Sequence, residues 1–217
     1  MTKAAQWLAL GCLCFLFIPD DARVAGQNRD VLDTNKRLKA EVAVYTEVLR
    51  ELRLRWISDG RPVPRPGDLA VVVVAQTVDL LQEWWWNAPG KVPRPCAAHI
   101  RVPDASDAVI EDLCRANQKQ RDLSGAFGSD SHVITMPRSR LIELFRTNNA
   151  WEAFYASYPG SAGYVEFSRA GLSQDGATAL VYVGHVYGGL AGEGCFCVLR
   201  RNGDRWNVES PHRVWVS

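Results

Sequence analysis

Apolar positions between residues 28 and 57 recur in alternating steps of four and three. Val31, Asn35, Leu38, Val42, Tyr45, Leu49, Leu52 and Trp56 fall in this pattern. Such spacing predicts one long helix with a single apolar side. Val44 and Val48 widen that side beyond a two-stranded seam, which favours packing on the chain's own domain. A coiled-coil homodimer, with Asn35 setting the register, is the alternative. Asp33–Arg37 and Glu51–Arg55 supply charge pairs four apart on its surface. The helix stops at SDGRPVPRPGD, residues 58–68, where proline and glycine cannot continue it.

LAVVVVAQT follows as a buried strand, apolar and β-branched almost throughout. Residues 78–104 read as an irregular excursion rich in proline and tryptophan, with the triplet Trp84, Trp85 and Trp86. Ser106 can cap a helix over residues 107–117, where Val109, Ile110, Leu113 and Cys114 form a stripe. HVITM is a short strand. Pro137 or Ser139 opens another helix, and helical spacing through Trp151, Phe154, Tyr155 and Tyr158 runs up to Pro159-Gly160.

The last quarter alternates strands and turns: YVEFSRAGL, TALVYVGHVYG, CFCVLRR, RWNVE and HRVWVS. The fold class expected is therefore α+β, with N-terminal helices packed on a C-terminal four-stranded antiparallel meander. A two-residue turn at Asn202-Gly203 would pair Arg201 with Asp204, Leu199 with Trp206 and Cys197 with Val208. Cys195, Cys197, Leu199, Trp206 and Val208 then share one apolar face. The glycines of YGGLAGEG, residues 187–194, are expected to form a long hairpin connection.

The N-terminus changes the picture of where this domain works. One lysine precedes an apolar run from Ala4 to Ile18, shorter than a membrane span. Residues 1–26 are expected to be a signal peptide cut after Gly26. A lipoprotein cut before Cys12, or a retained anchor, are the alternatives. Removal leaves 191 of the 217 residues as a single domain, 27–217, secreted or periplasmic, with no remaining membrane span. Cys96, Cys114, Cys195 and Cys197 then remain, and four cysteines allow three pairings. Cys195 and Cys197 lie two apart in a strand, too far to bridge easily, so elimination leaves Cys96–Cys114 as the expected disulfide.

Charge excludes rather than identifies. The 25 basic and 24 acidic residues give no electrostatic reason for a nucleic-acid partner. A hydrophobic content of 47% is that of a globular chain. Candidate chemistry gathers in the C-terminal half. Ser168 as nucleophile and His185 as base, with Arg169 and Glu193, are the hydrolase candidates, but FSRAG lacks the G-x-S-x-G elbow. Glu166 and Arg169 flank Ser168 as a candidate ion pair. A metal site from Cys195, Cys197 and His185 lacks a fourth ligand and zinc-motif spacing, so no metal and no cofactor are expected. YGGLAGEG leads into a strand, not the helix a phosphate cradle requires. Trp84, Trp85, Trp86 and Tyr187 are the candidate ligand-binding aromatics.

FSRAGLSQDGATALVYVGHVYGGLAGEG, then N-G-D-x-W-x-V and the closing W-V-S, with YASYPG ahead of them, resembles a set of uncharacterised secreted bacterial proteins. The resemblance covers residues 151–217. It implies a shared fold and export, and carries no activity or catalytic residue. Cys195 and Cys197 stand where that pattern tends to have aromatic residues. Helices followed by a meander are also reminiscent of cystatin-like and nuclear-transport-factor-2-like domains, an analogy of fold alone.

The leading expectation is an exported, non-enzymatic domain that binds a small molecule or an envelope protein through the concave sheet face or residues 184–194. A small hydrolase with a pocket between helices and sheet is the second. A self-assembling envelope protein, joined through the 28–57 helix, is the third.

Overall fold

A computed structural model describes residues 20–59, 69–80, 96–130 and 132–217, with side chains from Thr34 onward except that of His99. The apolar leader, the Pro-rich stop after the first helix and Trp84–Trp86 lie outside the described residues. The chain divides into two units, Met1–Leu38 and Lys39–Ser217. Helix α1 spans Asp20–Ser58, and its part from Lys39 onward belongs to the second unit. No described helix is long and apolar enough to cross a membrane.

After α1 come β1 (Ala70–Val74), α2 (Cys96–His99), α3 (Asp107–Ala116), β2 (Val133–Met136), α4 (Arg138–Leu144) and α5 (Ala150–Ser157). Then follow β3 (Ser161–Phe167), β4 (Gly171–Leu172), β5 (Thr178–Gly188), β6 (Ala191–Asn202) and β7 (Arg205–Val216). They build one seven-stranded sheet in the order β2-β1-β3-β5-β6-β7, with β4 paired to β5. β1 pairs in parallel with both β2 and β3, and the remaining pairs are antiparallel.

This overturns the four-stranded antiparallel meander. The sheet is mixed and larger, and the cystatin-like and nuclear-transport-factor-2-like analogies fall with the meander they rested on. The physical reason lies in β1. Val71 and Val73 join one apolar cluster and Val72 and Val74 another, so the strand is buried on both faces. A strand covered on both sides belongs inside a sheet, with parallel neighbours reached by helical crossovers. The helices accordingly cover both faces. α1 packs Val44, Tyr45, Val48, Leu49, Leu52 and Trp56 on one side. α3 covers the opposite side with Val109, Ile110 and Leu113, and α4 and α5 extend that cover with Leu144 and Phe154.

From Glu41 to Trp56 the apolar face of α1 is therefore occupied by its own sheet, as the domain-packing expectation requires. That face is rotated from the forecast: Val44 and Val48 are buried while Val42 is only partly so. The ends of the irregular excursion are core, since Val78, Leu80, Ile100 and Val102 join the α3 cluster. Cys96 and Cys114 form a disulfide joining α2 to α3.

The β6–β7 turn is Gly203-Asp204, with φ +60° at Gly203 and Asn202 paired to Arg205. Leu199 consequently faces Val208, not Trp206. Moving the turn by one residue displaces the partner by two, which preserves the face. Cys195, Cys197, Leu199 and Trp206 do share one buried cluster, with Val208 against it. A bulge between Val198 and Leu199 then sets Cys197 opposite Pro211. Proline is tolerated there because β7 is an edge strand, so RWNVESPHRVWV runs as one strand.

The glycine-rich stretch is also strand rather than a long connection. β5 reaches Gly188 and β6 starts at Ala191. Gly192 and Gly194 leave room for the indole of Trp215, which would collide with a Cβ at Gly194. Trp215 Nε1 donates to Tyr182 Oη at 2.8 Å, fixing the ring in that space.

Candidate functional site

The end of the sheet where β5 and β7 finish and β6 begins meets the last turns of α1. A cavity of about 420 Å³ opens there, lined by Arg55, Trp56, His185, Tyr187, Glu193 and Arg213, among others. Strand alternation explains the constellation. His185 lies directly across from Glu193, so the two share a face, and α1 brings Arg55 and Trp56 over it.

Three rings form one wall. Trp56 lies 5.4 Å from His185 and 5.2 Å from Tyr187, edge-on to the latter, and His185 lies 4.9 Å from Tyr187. Two guanidinium groups share one carboxylate at the mouth. Arg213 Nε is 3.3 Å from Glu193 Oε2, and Arg55 Nη1 is 3.9 Å from Glu193 Oε1. Both arginine side chains are substantially exposed, so these pairs are open to water and to competing anions.

The hydrolase candidates are divided: His185 and Glu193 meet at the cavity, and Ser168 and Arg169 are not in its lining. His185 Nε2 donates to the Ala162 carbonyl at 2.5 Å; a nitrogen bound to a carbonyl holds a proton and cannot receive one from a nucleophile. Ser168 is fully buried. Its Oγ donates to Arg169 O and accepts from Tyr182 N, both at 2.9 Å. That is the bonding of a structural pin, with no free hydroxyl to attack a substrate.

Arg169 turns the other way, into a buried ion cluster absent from the sequence reading. Its Nε and Nη2 donate to Glu41 Oε1 at 3.2 and 2.9 Å. Arg121 Nε lies 3.2 Å from Glu41 Oε2. Asn117 clamps the Arg169 backbone, accepting from its N and donating to its O. The expected pairing of Arg169 with Glu166 is thus corrected: Glu166 accepts from Arg138 at 2.8 Å, and burial pushes its carboxyl above the ordinary glutamate value.

The thiols of Cys195 and Cys197 are buried and unbridged, with their Sγ atoms 3.6 Å apart. Cys195 titrates below the ordinary thiol value because Cys197 hydrogen-bonds to it; Cys197 is raised well above it by the same bond and by burial. No cluster of three or more potential metal-ligating side chains occurs among the described residues, and the metal trio with His185 is not assembled.

Tyr187, half-buried, is the one expected ligand-binding aromatic that can be placed at the cavity. Arg55, Trp56 and Arg213 were missed. The signal for Arg213 was its place in β7 opposite the thiol strand; no sequence pattern pointed to Arg55. Comparison with protein families, curated proteins and solved structures gives no match to this chain. The class supported by fold and site is therefore geometric: a mixed-sheet α+β domain with an arginine- and aromatic-lined cavity at one end of its sheet.

Proposed function

We propose that the protein is an exported, non-enzymatic binding domain that takes a small ligand bearing a flat ring and an anionic group. The cavity carries this reading. Its volume is within the range of small-molecule sites, about 300–1,000 Å³, and such sites combine apolar walls with a few convergent polar groups. Trp56 and Tyr187 offer ring contacts. Arg55 and Arg213 offer fork-shaped donors to a carboxylate or phosphate, in competition with Glu193. Export rests on the N-terminal sequence pattern and on the resemblance described above; the Cys96–Cys114 disulfide is compatible with an oxidising compartment.

Thermal-shift screening of aromatic carboxylates tests the reading. A ligand at one hundred times its Kd adds about 2.7 kcal/mol of stability, and Arg213→Ala should remove most of the shift. Catalytic turnover abolished by His185→Ala, or shifts unchanged in Arg213→Ala, would refute it.

A further inference from the structure

We propose that Cys195 and Cys197 form a two-thiolate site for a soft monovalent cation of the Cu(I) class, beside the ligand cavity. The two side chains project from the same face of β6, and their Sγ atoms are 3.6 Å apart. Two sulfur–metal bonds of about 2.3 Å each span about 3.6 Å when bent and about 4.6 Å when collinear. The observed separation matches the bent arrangement. Zinc would require two further ligands, and no group of three or more His, Cys, Asp or Glu side chains placed to hold a metal occurs among the described residues. Soft thiolate pairs instead favour Cu(I).

The surroundings suit the charge of the complex. Binding replaces two S–H bonds with two S–metal bonds and releases two protons to solvent; the monovalent cation and two thiolates together carry one negative charge. Arg213 lies directly across the strand pair from Cys195. The apolar wall formed by Leu199, Trp206 and α1 keeps bulk water from the sulfurs. Glu193, two residues before Cys195 on the same strand, lines the cavity.

The test uses the full chain carrying Cys12→Ser and Cys14→Ser, with the Cys96–Cys114 disulfide intact, titrated anaerobically with Cu(I) against a competing chromophoric chelator. One ion per chain should bind, with two protons released per ion. Cys195→Ala and Cys197→Ala should each lower affinity at least a hundredfold. Arg213→Ala should weaken it several-fold, and a Cys96→Ser/Cys114→Ser variant should retain it. Circular dichroism establishes that each variant is folded; if an alanine variant unfolds, the Cys→Ser change at that position is used. Should neither fold, the proton count and one-to-one stoichiometry of the native chain decide. Failure of the native chain to compete with the chelator overturns the proposal, as does full retention of binding in either folded cysteine variant. Loss of aromatic carboxylate binding with Cu(I) binding retained bears on the cavity, and the cysteine variants, which leave the cavity lining unchanged, bear on the thiol pair.

Discussion

Replacing Glu41 with leucine removes the acceptor that holds two buried cations beside α1. The carboxylate has no solvent exposure, and the side chains of Arg169 and Arg121 are only 12% and 16% exposed. Water cannot fully replace the lost partner at either guanidinium. Removing one member of a buried ion pair costs about 3–5 kcal/mol. In a unit of this size each kcal/mol moves the melting temperature by roughly 2–4 °C, so a fall of about 6–20 °C is expected. Arg169→Met should cost less, because Glu41 keeps Arg121. In the double variant Arg121 alone loses the Glu41 carboxylate, and its loss should be smaller than the sum of the single losses by at least about 1 kcal/mol. Thermal and urea unfolding followed by circular dichroism measure all three. A Glu41→Leu protein melting within about 2 °C of the parent, or strictly additive losses, would refute the reasoning.

Gly194→Ala should cost about 1–3 kcal/mol through collision with the Trp215 indole, and the added substitution Trp215→Ala should relieve the collision; unfolding curves of the single and double variants check this. Asp104 accepts from Ser210 Oγ and His212 Nε2 at 2.8 and 2.9 Å, which lowers its carboxyl below the ordinary 3.8. A depressed carboxyl contributes stability above its unfolded value and loses it as pH falls through its native value. The stability gap between parent and Asp104→Asn should therefore be present at neutral pH and close below pH 3.8, as measured by urea unfolding across pH; a gap independent of pH would count against the interaction. Cys96 and Cys114 close a loop with a sequence separation of 18, so Cys96→Ser/Cys114→Ser should lose about 3 kcal/mol in the same assay.

The parts of this fold that were legible in the sequence were those fixed by local periodicity. The valines of β1 announced a buried strand, and strand alternation placed Cys195, Cys197, Leu199 and Trp206 on one face even though the turn was set one residue early. Partner choice was not legible. Nothing in AVVVV or VITM specifies a parallel neighbour, because parallel pairing is decided by how helices cross over and cover both faces. Glu41 was invisible for a related reason: a lone glutamate on a helix reads as surface until Arg121 and Arg169, distant in sequence, supply its counter-charges. The candidate site was half legible. His185 and Glu193 emerged from the strand pattern, whereas Arg55 and Arg213 became neighbours only when α1 crossed the end of the sheet. Ser168, chosen as a nucleophile, is instead a backbone pin, a role set by Arg169 O and Tyr182 N and not by any motif.

The most direct measurement is a two-dimensional NMR titration of the isotopically labelled chain with the aromatic carboxylate giving the largest thermal shift. The side-chain signals of Trp56, Arg55 and Arg213 should move first and saturate together, with Tyr187 close behind. Saturation with these four unchanged, or shifts centred on the β2 edge of the sheet, would contradict the assignment of the cavity as the binding site.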